Sequence, residues 1–106
     1  MQPKTKRRYK MKRYEIMYIV RPNLEEEARK ILVNDINQIF TKFDSQDPKV
    51  DEWGMRDLAY EINDFKKGYY VVLDVVASTE AITEVNRVIK IKEDVIRHIV
   101  IARDEI

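Results

Sequence analysis

The chain has few residues that could support catalysis or hold a metal ion. It contains no cysteine, one histidine (His98) and two glycines, which excludes a thiolate nucleophile, a thiolate metal site and a glycine-rich phosphate loop. No motif pairs a serine with His98, and the acids at residues 25–27 are typical of the first turn of a helix. We therefore predict a protein that is not an enzyme and that uses no cofactor or metal.

Basic residues are the remaining candidates for chemistry, because lysine and arginine neutralise nucleic-acid phosphates. Seven of the 20 lysines and arginines lie in residues 1–13, which contain no acid. Residues 14–106 contain the other 13 and all 19 acids, so they carry a net charge of −6. The basic segment is interpreted either as an arm for a polyanion or as a solvated tail, and the acidic body suits a basic protein partner.

Length and composition predict one cytosolic domain with an N-terminal arm. Residues 1–11 lack hydrophobic periodicity and are predicted to be a flexible basic arm, while residues 12–106 are long enough for one core. No apolar run approaches the ~20 residues of a membrane span, and the N-terminus does not resemble a secretory signal. We therefore expect no contact with a membrane.

Hydrophobic periodicity predicts two helices. Asn23 is the predicted N-cap of the first, with Glu26 completing a capping box. Apolar residues then recur at spacings of three and four and define one buried stripe: Leu24, Ala28, Ile31, Leu32, Ile36, Ile39, Phe40 and Phe43. The second helix is predicted to begin at residues 78–80 with a hydroxyl cap.

Alternating residues predict four strands, at residues 14–20, 50–62, 69–76 and 95–102. Gly54 indicates a bulge in the second strand, where Trp53 and Met55 are expected on one face and Leu58, Tyr60 and Ile62 on the other. Residues 63–64 and 67–68 have turn chemistry, and Gly68 is free to adopt a positive φ there.

The order β-α-β-β-α-β predicts an α+β, ferredoxin-like sandwich, with a four-stranded antiparallel sheet and two helices on one face. The opposite face of the sheet is left uncovered. Its expected residues are unusually apolar for a surface in water, which suggests a bound partner: Glu15, Met17, Ile19, Tyr70, Val72 and Val76.

Several basic residues lie at the ends of predicted elements or within predicted strands, where folding can bring them together. These are Lys12, Arg13, Arg56, Lys90, Lys92 and Arg97. Phosphate contacts from such residues, with tyrosines stacking on unpaired bases, would bind RNA. For any one of them, ordinary surface charge is an equally good interpretation.

Three segments carry a resemblance to a known family. They are RYEIMYIVRPNL (residues 13–24), RDLAYEINDFKKGYY (56–70) and IKEDVIRHIV (91–100). In order and spacing they resemble the sixth protein of the bacterial small ribosomal subunit. The resemblance implies a structural ribosomal protein that binds, with the eighteenth protein of that subunit, to the central domain of the small-subunit ribosomal RNA.

The resemblance also implies contact residues. Arg13 and Tyr14 match the family's basic-aromatic start, Arg56 and Tyr60 belong to its Arg-Arg-Leu-Ala-Tyr element, and Arg97 matches a basic position in the last strand. With Lys12, Lys90 and Lys92, these are the candidates for contact with RNA or with the partner protein.

The chain departs from the family in two places. Asp57 stands where the family usually has a second arginine, and the basic arm precedes the methionine near which the family commonly begins. We hypothesise that the arm supplies RNA contacts that Asp57 does not. The alternative function is a regulatory ligand-binding domain of ferredoxin-like fold that self-associates through its sheet.

Overall fold

The computed structural model describes residues 11–103, which form four strands and two helices. In chain order these are β1 (Met11–Val20), α1 (Glu26–Lys42), β2 (Gln46–Ile62), β3 (Phe65–Ser78), α2 (Thr79–Ile91) and β4 (Val95–Arg103). All neighbouring strands are antiparallel, in the order β2-β3-β1-β4. The predicted ferredoxin-like sandwich is confirmed. Of the predicted arm, only Met11 lies within the described residues, and it pairs with Ser78 in the sheet.

The core lies between the two helices and one face of the sheet. Alternate residues of β1 and β3 point into it, because successive side chains of a strand leave opposite faces. The buried set is Tyr14, Ile16, Tyr18, Val20, Leu32, Val33, Ile36, Ile39, Phe40, Val71, Leu73, Val75, Ala77, Ala81, Val85 and Ile89. The other face of the sheet has no helix over it within residues 11–103, as predicted.

The start of α1 differs from the prediction. Glu25 is the N-cap, and it makes no side-chain cap hydrogen bond. The predicted cap, Asn23, instead accepts a 2.8 Å hydrogen bond from Nη1 of Arg21. The predicted stripe is also wrong at one position, since Ile31 is 63% exposed while Val33 is buried in its place. Periodicity alone does not show which of two nearby residues at the margin of a helical stripe is buried.

The cap of α2 agrees with the prediction. Ser78 is fully buried, and its Oγ accepts a 3.1 Å hydrogen bond from the backbone N–H of Ala81. A free N–H at the start of the helix is thereby satisfied without water. Because Ser78 also ends β3, this bond fixes the angle at which the chain leaves the sheet.

A two-residue turn joins β2 to β3. Asn63 and Asp64 both have positive φ, 50° and 69°, as a hairpin turn of the favoured twist requires. The predicted turn at residues 67–68 is wrong, because Gly68 lies within β3 and does not have a positive φ. Gly68 is instead a site of close approach, where an added Cβ would overlap Cγ2 of Ile19.

The predicted bulge at Gly54 is confirmed. The register of β2 on β3 shifts between Glu52 and Gly54, and Gly54 has a φ of 91°. The extra residue reverses the alternation, so Trp53 and Met55 lie on opposite faces rather than together as predicted. Both hairpin strands are longer than predicted, because polar residues complete the backbone ladder wherever the partner strand continues.

Candidate functional site

The uncovered face of the sheet, called the open face below, gathers residues from all four strands. Its residues include Arg13, Glu15, Met17, Ile19, Lys49, Asp51, Trp53, Arg56, Leu58, Tyr60, Gly68, Tyr70, Val72, Asp74, Val76, Arg97, Ile99, Ile101 and Arg103. The register sets them in rows: Ile19 lies between Tyr70 and Arg97, and Met17 between Val72 and Ile99. The sheet therefore brings together residues far apart in sequence.

The middle of the open face is an apolar band, formed by Met17, Trp53, Tyr70, Val72, Ile99 and Ile101. Ile99, Ile101 and Trp53 are 47%, 46% and 42% exposed. The rings of Trp53 and Tyr70 are stacked, with centroids 6.2 Å apart and planes inclined by 11°. A shallow depression of about 230 Å³ opens between Met17, Tyr70 and Ile99. Contiguous exposed apolar surface of this kind is typical of protein interfaces.

One end of the open face carries opposite charges in pairs. Arg103 Nη1 donates to Oε1 of Glu15 at 2.8 Å, and Arg13 Nη1 donates to Oδ1 of Asp74 at 3.3 Å. Exposed pairs of this type contribute roughly 0–1 kcal/mol to stability, so their main effect is to hold the side chains in place. The charge of Arg13, a predicted contact residue, is thus partly neutralised within the chain.

The opposite end holds the hairpin cluster, defined as Trp53, Arg56, Tyr60 and Arg97. Arg97 Nη1 donates a 2.9 Å hydrogen bond to the hydroxyl of Tyr60, and its Cζ lies 5.9 Å from that ring's centroid. The Cζ of Arg56 lies 5.4 Å from the centroid of the Trp53 ring. Two guanidinium groups and two aromatic rings therefore share one exposed surface, as RNA recognition by phosphate contact and base stacking requires.

The other predicted contact residues do not join this cluster. Tyr14 is 6% exposed and lies in the core, so its ring is not available to a partner in this fold. Lys12 pairs with Ala77 and points toward the helix side of the sheet. Lys90 lies on α2, and Lys92 follows that helix with its Nζ 3.2 Å from Oδ2 of Asp35.

Sequence reasoning did not select several residues that the structure brings to the site. Trp53, Ile99, Ile101 and Arg103 were not among the predicted contacts. The alternation of Arg97, Ile99, Ile101 and Arg103 along one face of β4 is a signal that the sequence does contain. For Trp53 the signal was hidden, because the bulge decides which face it joins.

A cluster on the helix side supports the hairpin. The Cζ of Arg29 in α1 lies 3.8 Å from the ring centroid of Tyr69, whose hydroxyl donates a 2.6 Å hydrogen bond to Oε1 of Glu52. This hydrogen bond to Glu52, with burial, raises the pKa of Tyr69. Burial, with a smaller effect of Glu52, also raises the pKa of the neighbouring Tyr18. These contacts join β2, β3 and α1 directly beneath the hairpin cluster.

His98 belongs to the packing between β4 and α2. Its Nε2 lies 3.0 Å from Oδ1 of Asn86, and the side chain is partly buried. Burial, and then the positive charge of Lys90, lower the pKa of His98 from its usual value of 6.5. In the folded chain this imidazole therefore resists protonation more than it does in the unfolded chain.

This shift predicts a loss of stability at acidic pH. Below the unfolded pKa the unfolded chain binds more protons at His98, so the free energy of unfolding falls as the pH drops from about 8 to about 5. His98→Gln should lose less stability over this range, because glutamine replaces the imidazole with an amide that can hydrogen-bond but does not titrate. Urea unfolding at both pH values tests this, and an equal loss in both proteins would contradict the role of His98.

Residues 11–103 contain neither a candidate metal site nor a membrane-spanning helix. Among residues 11–103, no group of three or more histidine, aspartate or glutamate side chains is placed to hold a metal ion. In the same residues, neither helix is long and apolar enough to cross a membrane.

Two sequence comparisons match the same protein family over most of the chain. The sequence model of the family described as Ribosomal protein S6 matches residues 13–102, which include parts or all of each of the six elements. The small ribosomal subunit protein bS6 of Shouchella clausii (strain KSM-K16) is 54% identical over 95 residues, which cover 90% of this chain and 99% of that protein.

Solved structures agree with the sequence comparisons. The crystal structure of 30S ribosomal protein S6 from Thermotoga maritima superposes with a TM-score of 0.83 and 32% sequence identity, and covers 89% of each chain. A putative PII-like signaling protein from Thermus thermophilus superposes with a TM-score of 0.44 at 12% identity, covering 88% of this chain and 87% of that one. The second similarity is too weak to bear on function.

Proposed function

Because this chain belongs to the ribosomal protein S6 family, we propose that it binds the central domain of the small-subunit ribosomal RNA together with ribosomal protein eighteen, and that the pair supports assembly there. Family membership gives the coarser role directly. The chain is a structural, RNA-binding protein of the small ribosomal subunit, and it functions in the cytoplasm as part of the ribosome. The RNA domain and the protein partner are the proposed part.

One observation carries the proposal: the apolar band and the hairpin cluster lie side by side on the open face. The band offers apolar side chains that a protein can cover, and the cluster offers guanidinium groups and rings that RNA can contact. A face with both properties suits an RNA and a protein that meet at their common boundary.

The hairpin cluster is the proposed RNA contact. Arg56 and Arg97 rest against aromatic side chains, which orients their guanidinium groups before RNA arrives and lowers the entropy lost on binding. The hydroxyl of Tyr60 is the acceptor for Arg97, and its ring is 62% exposed. Asp57 does not interfere at this surface, because it pairs opposite Lys67 on the other side of the hairpin.

The apolar band is the proposed contact for the partner protein. Residues 14–106 carry a net charge of −6, so the body attracts a basic protein and repels RNA unless that protein is present. Binding to RNA is therefore expected to be cooperative, because a basic partner would supply the net positive charge that residues 14–106 lack.

The test is a titration against a central-domain RNA fragment with and without ribosomal protein eighteen. We expect weak binding by this chain alone at physiological salt and tight binding with the partner. Tight binding by the chain alone would contradict the cooperative mechanism. No binding in either condition, with both proteins folded, would exclude the proposed RNA domain and protein partner.

A matched pair of substitutions isolates the apolar band. Ile101→Asp places a charge in the band, whereas Ile31→Asp places one on α1, where the side chain is also exposed but lies on the other layer. The first should abolish the effect of the partner on RNA affinity, and the second should leave it unchanged. An equal loss in both variants would show that the charge acts generally and not at the band.

We expect the basic segment to make a separate contribution to RNA binding. Removing residues 1–10 should weaken RNA binding of the two-protein complex and reduce the slope of log affinity against log salt, by roughly 0.7–0.9 for each phosphate contact that is lost. The slope is measured by repeating the titration over a range of salt concentrations. An unchanged affinity and slope would mean that the segment does not contact the RNA.

A further inference from the structure

The two edges of the sheet differ in how they are protected from pairing with another strand. The β2 edge carries Pro48, the bulge at Gly54 and further irregularities in its register on β3. The β4 edge has fewer of these features: its nine residues contain no proline, glycine or lysine, and its ladder with β1 is regular from Arg103 to Arg97, with one shift in register at Ile96 near the start of the strand. Unprotected edge strands rich in β-branched residues are sites of strand pairing.

Charged side chains do not guard the β4 edge. Arg97 donates to Tyr60, and Arg103 donates to Glu15, so both guanidinium groups point back over the chain's own sheet. His98 contacts Asn86 on the helix side. Within residues 11–103, β4 pairs only with β1, and the backbone groups along its outer edge have no strand partner.

We propose that β4 pairs in an antiparallel manner with β4 of a second copy of this chain, centred on Ile99, to form a symmetric dimer with a continuous eight-stranded sheet. Ile99 is the midpoint of Val95–Arg103, and this register pairs residues 97–101 of each copy, all of which lie in the stretch that follows the register shift at Ile96. An antiparallel strand paired with itself is closed by a two-fold axis and leaves no further β4 edge. This inference does not depend on the proposed function.

Repulsion between arginines favours this register of the proposed β4 pairing over the neighbouring ones. Centred on Ile99, the pairing sets Arg97 opposite Ile101 of the second copy and leaves Arg103 beyond the regularly paired residues, so no like charges face each other. Centring on Val100 would set Arg97 opposite Arg103, and like charges directly opposite destabilise a sheet. Centring on His98 would pair fewer residues and set the two imidazoles together.

Side chains support the same arrangement. Ile99 would meet Ile99 of the second copy on the open face, and each Ile101 would lie on the methylene stem of an arginine. These two isoleucines are 47% and 46% exposed in the single chain. The dimer would therefore cover apolar surface while pairing backbone groups that otherwise face water.

The first test is the mass of the full chain measured by sedimentation over a range of concentrations. We expect a monomer that converts to a dimer as the concentration rises. Ile99→Lys, which would set two charges together at the axis, should remain monomeric, whereas Ile31→Lys on α1 should dimerise as the parent does. A monomer at every concentration, an oligomer larger than a dimer, or a dimer that Ile99→Lys leaves intact would overturn the proposal.

The second test uses the absence of cysteine in the chain. Opposed residues of an antiparallel pair have Cα atoms about 4.5–5.5 Å apart, within the range of a disulfide. Ile99→Cys should therefore form a covalent dimer readily in mild oxidant. Ile101→Cys, on the same face and equally exposed, should form one slowly, because position 101 faces position 97. Equal rates would overturn the proposed register.

Discussion

Gly68→Ala is expected to destabilise the chain, although alanine is ordinarily the better residue in a strand. An added Cβ would overlap Cγ2 of Ile19, a β-branched side chain that is only 7% exposed and has little freedom to rotate away. Overpacking of this kind costs about 1–3 kcal/mol, more than the 0.5–1 kcal/mol or so that alanine gains over glycine. Gly68→Val should cost more still. Urea unfolding measures both.

A double substitution shows whether the contact with Ile19 is the cause. Ile19→Ala removes Cγ2, so Gly68→Ala should cost little or nothing in that background. The expected result is a strong departure from additivity between the two positions. If Gly68→Ala is as stable as the parent, or if its cost is the same with and without Ile19→Ala, the proposed close approach is wrong.

Arg56→Ala and Arg97→Ala should each weaken RNA binding by the two-protein complex, by about tenfold for a charge-assisted contact worth about 1.4 kcal/mol. Each should also lower the salt dependence of binding, with a decrease in slope of roughly 0.7–0.9. Titration of the RNA fragment with the partner present, at several salt concentrations, measures both effects.

Arg87→Ala is the matched control for charge. Arg87 is an exposed arginine of α2 that forms hydrogen bonds with Glu84 on the helix layer, away from the open face. Its substitution removes the same charge, so a general electrostatic effect would appear in all three variants. The hairpin cluster is the wrong site if Arg87→Ala weakens binding as much as the other two, or if neither Arg56→Ala nor Arg97→Ala has an effect.

The order of elements was predictable from the sequence because each element satisfies two rules at once. For the strands, alternation and β-branched composition agree, and for α2 a hydroxyl cap precedes an apolar stripe. Asn23 shows where this fails: its residue type suits a cap, but Arg21 engages its side chain. Side-chain competition of that kind depends on contacts that local patterns do not describe.

The site was only partly predictable for a related reason. The resemblance selected Arg56, Tyr60 and Arg97, and the structure brings them to one surface. Tyr14 was selected with them, yet its place in the strand alternation directs it into the core. Trp53 was assigned to a face shared with Met55, because the sequence indicates a bulge at Gly54 but not which residue is the extra one. Pairing register, and not residue type, decides these cases.

The stacked pair of Trp53 and Tyr70 gives the molecule an internal optical reporter. Trp53 is the only tryptophan in the chain, and it lies partly exposed between the apolar band and Arg56. Its fluorescence should therefore shift toward shorter wavelengths when a protein covers the band, and should be quenched when a nucleobase stacks against the ring. Emission from a single unlabelled side chain would then distinguish arrival of the protein partner from arrival of RNA, in real time and without any added dye.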